Sequence, residues 1–139
     1  MTMRFLDTNI LLRHLTRDDP KKAEACTRLF QDIETGKLSA WTSDLVVAEV
    51  VFVLSSKGPN GYNYTREEIR AGLVPLLALP GLQLPSKRFY PRIFELYTTH
   101  KIDFIDVYHA ALVEGDEQKE LYSYDRDFDA IENVTRIEP

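Results

Sequence analysis

The sequence predicts an α/β fold with a mostly parallel sheet, in one domain spanning residues 1–139. Short strand-like segments alternate with helical segments along the whole chain, which is the pattern of parallel sheets covered by helices. The 44% apolar and 28% charged residues are typical of a globular protein with a core of its own. No repeat, low-complexity tract or linker interrupts the pattern, so a second domain is not predicted.

Local signals define the elements of the first half of the chain. Asp18-Asp19-Pro20 predicts a helix start, with an acid as N-cap and proline in the first turn. Ser43 or Asp44 is expected to cap a later helix, which is apolar almost all round and therefore predicted to be buried. In order, the predicted elements are a strand at 4–6, a helix at 9–15, a helix from 20 to about 36, a strand at 38–41 and a helix to 54.

The second half begins with a Gly-rich loop at 58–64. Thr65 and Glu68 form the sequence pattern of a capping box and predict the next helix. Asp103 or Asp106 is expected to begin a later helix that Gly115 ends. The remaining predicted elements are a strand at 82–84, a helix at 86–99, a strand at 121–124, a helical turn at 127–131 and a strand at 134–137.

Composition excludes several classes of protein. Cys26 is the only cysteine, so a disulfide framework and a Cys-rich zinc site are excluded, and the thiol is expected to be a small buried hydrophobe. No apolar run approaches the ~20 residues of a membrane span, and the start of the chain lacks a signal-peptide pattern, so a cytoplasmic protein is expected. The net charge of −5 provides no broad basic surface, so contact with nucleic acid should be local and metal-dependent.

Four acidic residues lie within otherwise apolar runs and suggest the function. They are Asp7, Glu49, Asp106 and Asp125, and the only basic residue within these runs is Arg4. A buried carboxylate costs several kcal/mol unless it is paired or binds a metal, so a shared divalent cation is the simplest counter-charge. Oxygen ligands favour Mg²⁺ or Mn²⁺, which support phosphodiester hydrolysis.

Each acid also has a structural alternative. Asp7 and Asp106 could be simple helix N-caps, Glu49 could form an ordinary ion pair, and Asp125 could be a turn residue. The four together are more specific than any one of them, because Asp7 and Asp125 both follow predicted strands, where sites in parallel sheets form.

Four segments resemble the PIN-domain family, in particular the small ribonuclease toxins of VapBC toxin–antitoxin pairs. They are FLDTNILLR at 5–13, SDLVVAEV at 43–50, DFIDVYHAA at 103–111 and SYDRDF at 123–128, in the order of the family. The resemblance implies a three-layer α/β/α fold and Mg²⁺- or Mn²⁺-dependent cleavage of single-stranded RNA.

Carried over residue by residue, the resemblance assigns the four acids as the metal-binding and catalytic quartet. Asp127 or Asp129 could replace Asp125 in that set. The supporting polar residues are Thr8, Asn9, Ser43, Asp103, Ser123 and Asp127, with Ser123 standing where the family usually has threonine. The expected partners are a cognate antitoxin and a second copy of the chain in a homodimer, with no membrane.

Two other functions compete with the nuclease. One is a PIN-like RNA- or protein-binding regulatory module without catalysis, which retention of all four acids argues against. The other is a phosphate-handling receiver or phosphatase domain. The phosphatase pattern Asp-x-Asp-x-Thr is not met by DTNIL at 7–11, and a receiver needs an acidic pair beside the first strand, whereas Asp18-Asp19 lies one helix later. Turnover of a single-stranded RNA would distinguish the nuclease from both.

Overall fold

The computed structural model describes residues 2–139, which form two compact units, one up to Lys87 and one from Arg88 to Pro139. The helices of the first unit are α1 (Thr8–Thr16), α2 (Pro20–Glu34), α3 (Asp44–Ser55) and α4 (Arg66–Leu77), and its strands are β1 (Met3–Phe5), β2 (Ser39–Trp41) and β3 (Leu82–Gln83). The second unit contains α5 (Tyr90–Thr99), α6 (Phe104–Glu114), β4 (Glu120–Tyr122), β5 (Thr135–Ile137) and the 3₁₀ helix Arg126–Ala130. A further 3₁₀ turn spans Lys87–Phe89. That the whole of 1–139 is one domain stays a prediction.

Every strand pair in the described residues is parallel, as predicted. The first unit has a three-stranded sheet in the order β1-β2-β3, with Phe5 opposite Trp41. The second unit has a two-stranded sheet, β4-β5, with Tyr122 opposite Ile137. The strands therefore belong to two sheets, one in each unit.

The predicted capping signals are confirmed. Asp19 is the N-cap of α2 and accepts a hydrogen bond from the Lys22 backbone at 3.2 Å. Ser43 caps α3, and Thr65 and Glu68 form both bonds of the capping box of α4. Each cap satisfies backbone N–H groups that a helix start would otherwise leave without partners.

The core of the first unit lies between helices α1, α2, α3 and α4 and the sheet. One face of α2, which consists of Ala23, Cys26, Phe30 and Ile33, is buried, and this confirms the expectation for Cys26. Thr42 fixes the ends of two neighbouring strands, because its buried hydroxyl donates to the Leu6 carbonyl at 2.8 Å. This bond holds the chain at the carboxyl end of β1, where Asp7 follows.

Aromatic and aliphatic side chains of α5 and α6 form the core of the second unit. Phe94 packs against Tyr97 and Phe104, with ring centroids 6.1 Å and 5.5 Å away. Gly115 ends α6 as predicted, although its φ of −79° is open to any residue. A Cβ atom there would lie 2.5 Å from the Phe89 ring, so close packing is what requires glycine.

None of the helices formed by residues 2–139 combines the length and the apolar character that crossing a bilayer requires.

Candidate active site

Asp106 lies in the first turn of α6. The helix buries Phe104, Val107 and Ala110 on one side, which leaves Asp106 half-buried at the edge of that packed face. Asp103 occupies the N-cap position, but its side chain makes no capping hydrogen bond. The prediction that Asp106 itself might be the N-cap is wrong, because the helix begins two residues before it.

Hydrogen bonds that involve side chains hold the segment after β4 in place. The Ser123 Oγ atom accepts from the Asp125 backbone at 2.9 Å, and the Asp125 Oδ1 atom accepts from the Asp127 backbone at 2.9 Å. The Arg136 guanidinium of β5 donates to the Ser123 carbonyl at 3.1 Å. Phe128 is buried beneath this turn, so the backbone carrying the acids is fixed by local bonds and by packing.

Three carboxylates meet where this turn approaches α6. Asp106, Asp125 and Asp127 each offer one oxygen atom, and these atoms all lie within 4.8 Å of one another. Burial raises the pKa of Asp106, and the negative charges of Asp125 and Asp103 raise it further. None of the three carboxylates has a lysine or arginine within ion-pair distance in the described part of the chain.

This acidic cluster, defined as Asp106, Asp125 and Asp127, fits a divalent cation. Converging carboxylate oxygens are the ligands that Mg²⁺ and Mn²⁺ prefer, and an ion between them would offset the negative charges that, after burial, raise the pKa of Asp106. The cluster thus supplies the acidic group that such an ion needs.

A cavity of about 410 Å³ opens beside the cluster within the second unit. Asp106 and Asp125 line it together with His109, Tyr122 and Phe128. His109 lies one helical turn after Asp106. The cavity has room for a small substrate group next to two of the acids.

Asp129 is separate from the cluster, although it is only two residues beyond Asp127. Its carboxylate forms a two-pronged ion pair with Arg136 at 3.0 Å and 3.2 Å, which lowers the pKa of Asp129. Of the two acids named as alternatives to Asp125, Asp127 therefore lies beside Asp125 in the cluster, and Asp129 is neutralised elsewhere.

In the first unit, Asp7 is the N-cap of α1. Its Oδ1 atom accepts from the Thr8 backbone at 2.8 Å, so the N-cap alternative describes its local role. Thr8 is buried and Asn9 is exposed. Asn9 also lines a groove of about 350 Å³ with Arg13 and Lys22.

Glu49 projects from α3 into solvent. It belongs to no ion pair among residues 2–139, so the expectation of an ordinary structural pair is not met there. Ser43, the other predicted polar residue on this segment, uses its Oγ atom to accept from the Val46 backbone at 3.1 Å.

The expectation that all four acids are buried is wrong. Asp7, Glu49 and Asp125 are exposed, and only Asp106 is half-buried. The prediction that α3 is buried all round is wrong for the same reason. Leu45 and Phe52 are 81% and 71% exposed, and their spacing of four and three residues from Glu49 places all three on one outward stripe.

Tyr122 was missed by the sequence reasoning, although it lines the cavity beside the acids. The signal was present in the pattern Tyr122-Ser123-Tyr124-Asp125, which carries two aromatic residues directly before an acid. That Asp7 and Glu49 serve the same metal centre as the acidic cluster stays a prediction.

The sequence model of the PIN domain matches residues 4–134 and so includes both units. No curated protein matches the chain. PIN domains are generally nucleases, which gives the chain a nuclease-type fold. With six helices, and with parallel pairing of every described strand, the predicted three-layer α/β/α PIN-like fold class is confirmed. The chain belongs to the PIN-domain family.

Proposed function

We propose that this chain is a Mg²⁺- or Mn²⁺-dependent endoribonuclease that cleaves single-stranded RNA. The observation that carries the proposal is the acidic cluster, whose three carboxylates converge within 4.8 Å with no basic partner in the described residues. Like charges held this close are destabilising unless a cation joins them, so their retention in a PIN-domain chain favours metal-dependent chemistry.

Asp106, Asp125 and Asp127 would hold the ion, and Asp7 and Glu49 would complete the site. The proposal for Asp7 and Glu49 is supported by their exposure, by the lack of an ion pair at either carboxylate within residues 2–139, and by the family resemblance. A bound divalent ion supplies a water of lowered pKa and positive charge opposite the phosphate.

The supporting polar groups keep the carboxylates in position. Ser123 and the backbone of Asp127 fix Asp125 through the two 2.9 Å bonds. Asp103 adds negative charge beside Asp106, which favours a cation. Thr8, Asn9 and Ser43 lie at or next to the helix starts that follow β1 and β2, and in the proposed site they would orient the metal ligands.

A toxin role within a VapBC-type pair is the second part of the proposal. A cognate antitoxin would block the acidic site, and the chain would act in the cytoplasm as a homodimer. The outward stripe of α3 supports a protein partner, because Leu45 and Phe52 expose apolar surface on both sides of Glu49.

Cleavage of single-stranded RNA in the presence of Mn²⁺ or Mg²⁺, with and without chelator, tests the nuclease. Wild type should cleave, chelator should abolish cleavage, and Asp106→Asn should reduce the rate by at least about a hundredfold. Asp129→Asn is the matched control, because it changes a nearby acid that Arg136 already neutralises. Cleavage that survives chelator or Asp106→Asn would refute the nuclease assignment, and RNA binding without any turnover would favour the non-catalytic module.

Expression in a bacterial host tests the toxin role separately. Wild type should arrest growth, Asp106→Asn should not, and the product of a short neighbouring reading frame should relieve the arrest. If the purified protein cleaves RNA but its expression does not arrest growth, the nuclease assignment stands and the toxin role is refuted.

A further inference from the structure

Two exposed tyrosines flank the acidic cluster. Tyr122, the last residue of β4, is 76% exposed and lines the same cavity as Asp106 and Asp125. Tyr124 is 70% exposed and directly precedes Asp125. The second unit can bury tyrosine elsewhere, since Tyr90 and Tyr97 are almost completely buried in its core.

The two rings are presented on a fixed backbone. Tyr122 lies in the parallel ladder opposite Ile137, and the Ser123 backbone donates to the Ile137 carbonyl at 3.1 Å. The Ser123 side chain then fixes the Asp125 backbone at 2.9 Å. Within residues 2–139 neither tyrosine ring stacks on another aromatic ring, and neither hydroxyl group forms a hydrogen bond.

The charge of the cavity limits how it can hold a nucleic acid. Its lining contains two acids and neither lysine nor arginine, so the lining side chains themselves offer the phosphate backbone no ion pair. Apart from the attraction of a bound cation for the phosphate, the binding free energy must therefore come from contacts other than ion pairs with the protein. Stacking of bases on aromatic side chains supplies such energy, and it tolerates any sequence because every base has a flat face.

We propose that Tyr122, assisted by Tyr124, stacks on bases of single-stranded RNA next to the phosphate that enters the acidic cluster. The inference rests on the proposed function and adds the residues that position its substrate. Bases in a duplex already stack on one another, so this arrangement selects unpaired strands.

Two substitutions of Tyr122 distinguish the contribution of its flat ring from those of its hydroxyl group and its apolar bulk. Tyr122→Phe keeps the ring, whereas Tyr122→Leu keeps an apolar side chain without it. All binding measurements use the Asp106→Asn background to prevent turnover, with Mg²⁺ present. The probes are a short fluorescein-labelled oligouridylate and an abasic strand of equal length, measured by fluorescence anisotropy.

Tyr122→Leu should weaken oligouridylate binding about tenfold, and Tyr122→Phe should stay within about twofold of the parent. The abasic strand should bind weakly and equally to all three proteins. Tyr124→Leu should show a smaller loss than Tyr122→Leu, because only Tyr122 lines the cavity.

Equal oligouridylate affinity for Tyr122→Leu and its parent would overturn the inference. An equal loss on the abasic strand would also overturn it, since bases would then not be what the ring contacts. A failure of the proposed nuclease function can be distinguished from a failure of this inference. In that case wild type would not cleave RNA in Mn²⁺, while the dependence of RNA binding on the Tyr122 ring would persist.

Discussion

The carboxyl groups of Asp106 in the acidic cluster and of Asp18 in the turn between α1 and α2 have pKa values shifted in opposite directions. At the turn, one guanidinium nitrogen of Arg13 donates to both carboxylate oxygens of Asp18, at 2.9 Å and 3.0 Å, and the Tyr62 hydroxyl donates to Asp18 at 2.5 Å. The Tyr62 and Arg13 hydrogen bonds lower the pKa of Asp18 to about 2. In the cluster, burial and like charges raise the pKa of Asp106 instead.

The difference separates a structural acid from one that is poised to bind a ligand. Asp18 is neutralised by its own chain and ties the 58–64 loop to the α1–α2 turn through Tyr62. The carboxylates of the cluster repel one another without a compensating cation from the protein in residues 2–139. Uncompensated charge of this kind is typical of functional sites.

Substitutions of Asp127 and Asp129, which lie on the same turn, should differ most in their effect on RNA cleavage. Asp127→Asn should reduce the rate of RNA cleavage by about 10- to 100-fold, because it removes one of the oxygens that would hold or orient the ion. Asp129→Asn should stay within about twofold, because it breaks only an exposed ion pair with Arg136. Initial rates on one RNA at saturating Mn²⁺ measure both, and equal losses would remove the distinction between paired and unpaired acids.

Metal binding should stabilise the fold through the cluster. At a concentration of Mn²⁺ about 100-fold above its dissociation constant, the Tm should rise by roughly 5–10 °C. Asp106→Asn should lose most of this increase, and in chelator its Tm should not fall below that of wild type, because the substitution relieves repulsion. Thermal unfolding followed by circular dichroism measures both, and an equal Mn²⁺ effect in wild type and Asp106→Asn would place the ion elsewhere.

Substitution of an acid that is paired within the protein should lower the stability of the fold and leave the rate of RNA cleavage unchanged. Glu114 receives two bonds from Arg92, at 2.7 Å and 2.9 Å, and these bonds lower its pKa. Glu114→Gln should reduce the free energy of unfolding by about 1 kcal/mol, since the pair is partly exposed. Urea unfolding with chelator present measures this, and an unchanged midpoint would show that the pair contributes nothing.

The smallest effect should appear in the pH dependence of the α1–α2 turn. Because the pKa of Asp18 is lowered from 3.8 to about 2 in the folded protein, its stabilising contribution is complete above pH 3.8. That contribution is lost as pH falls towards 2. The Tm difference between wild type and Asp18→Asn should therefore shrink between pH 5 and pH 2.5, whereas a constant difference would mean that Asp18 keeps its proton affinity on folding.

Helix starts could be predicted because their signals are local. Asp19 before Pro20, Ser43 before α3, and the Thr65–Glu68 box each satisfy backbone groups within four residues, so no distant contact decides them. The parallel pairing followed from the alternation of strands and helices.

The outward stripe of α3 could not be predicted, because the helix carries apolar residues on both sides: Leu45 and Phe52 are as apolar as the residues on its buried side. Periodicity then contains no information about which side faces solvent. The fate of the acids after β4 depends on Arg136, which lies in a different strand and selects Asp129. Residue type identified the site segments, and tertiary contacts decided which acid joins the cluster.

Paramagnetic broadening of backbone amide signals by substoichiometric Mn²⁺ tests the central claim most directly, because it locates the bound ion in solution. The amides around Asp106, Asp125 and Asp127 should broaden first, those around Asp18 should stay sharp, and broadening at Asp7 and Glu49 would place all four predicted acids at one centre. Broadening confined to other acids, or none at all, would contradict a metal site built from the acidic cluster.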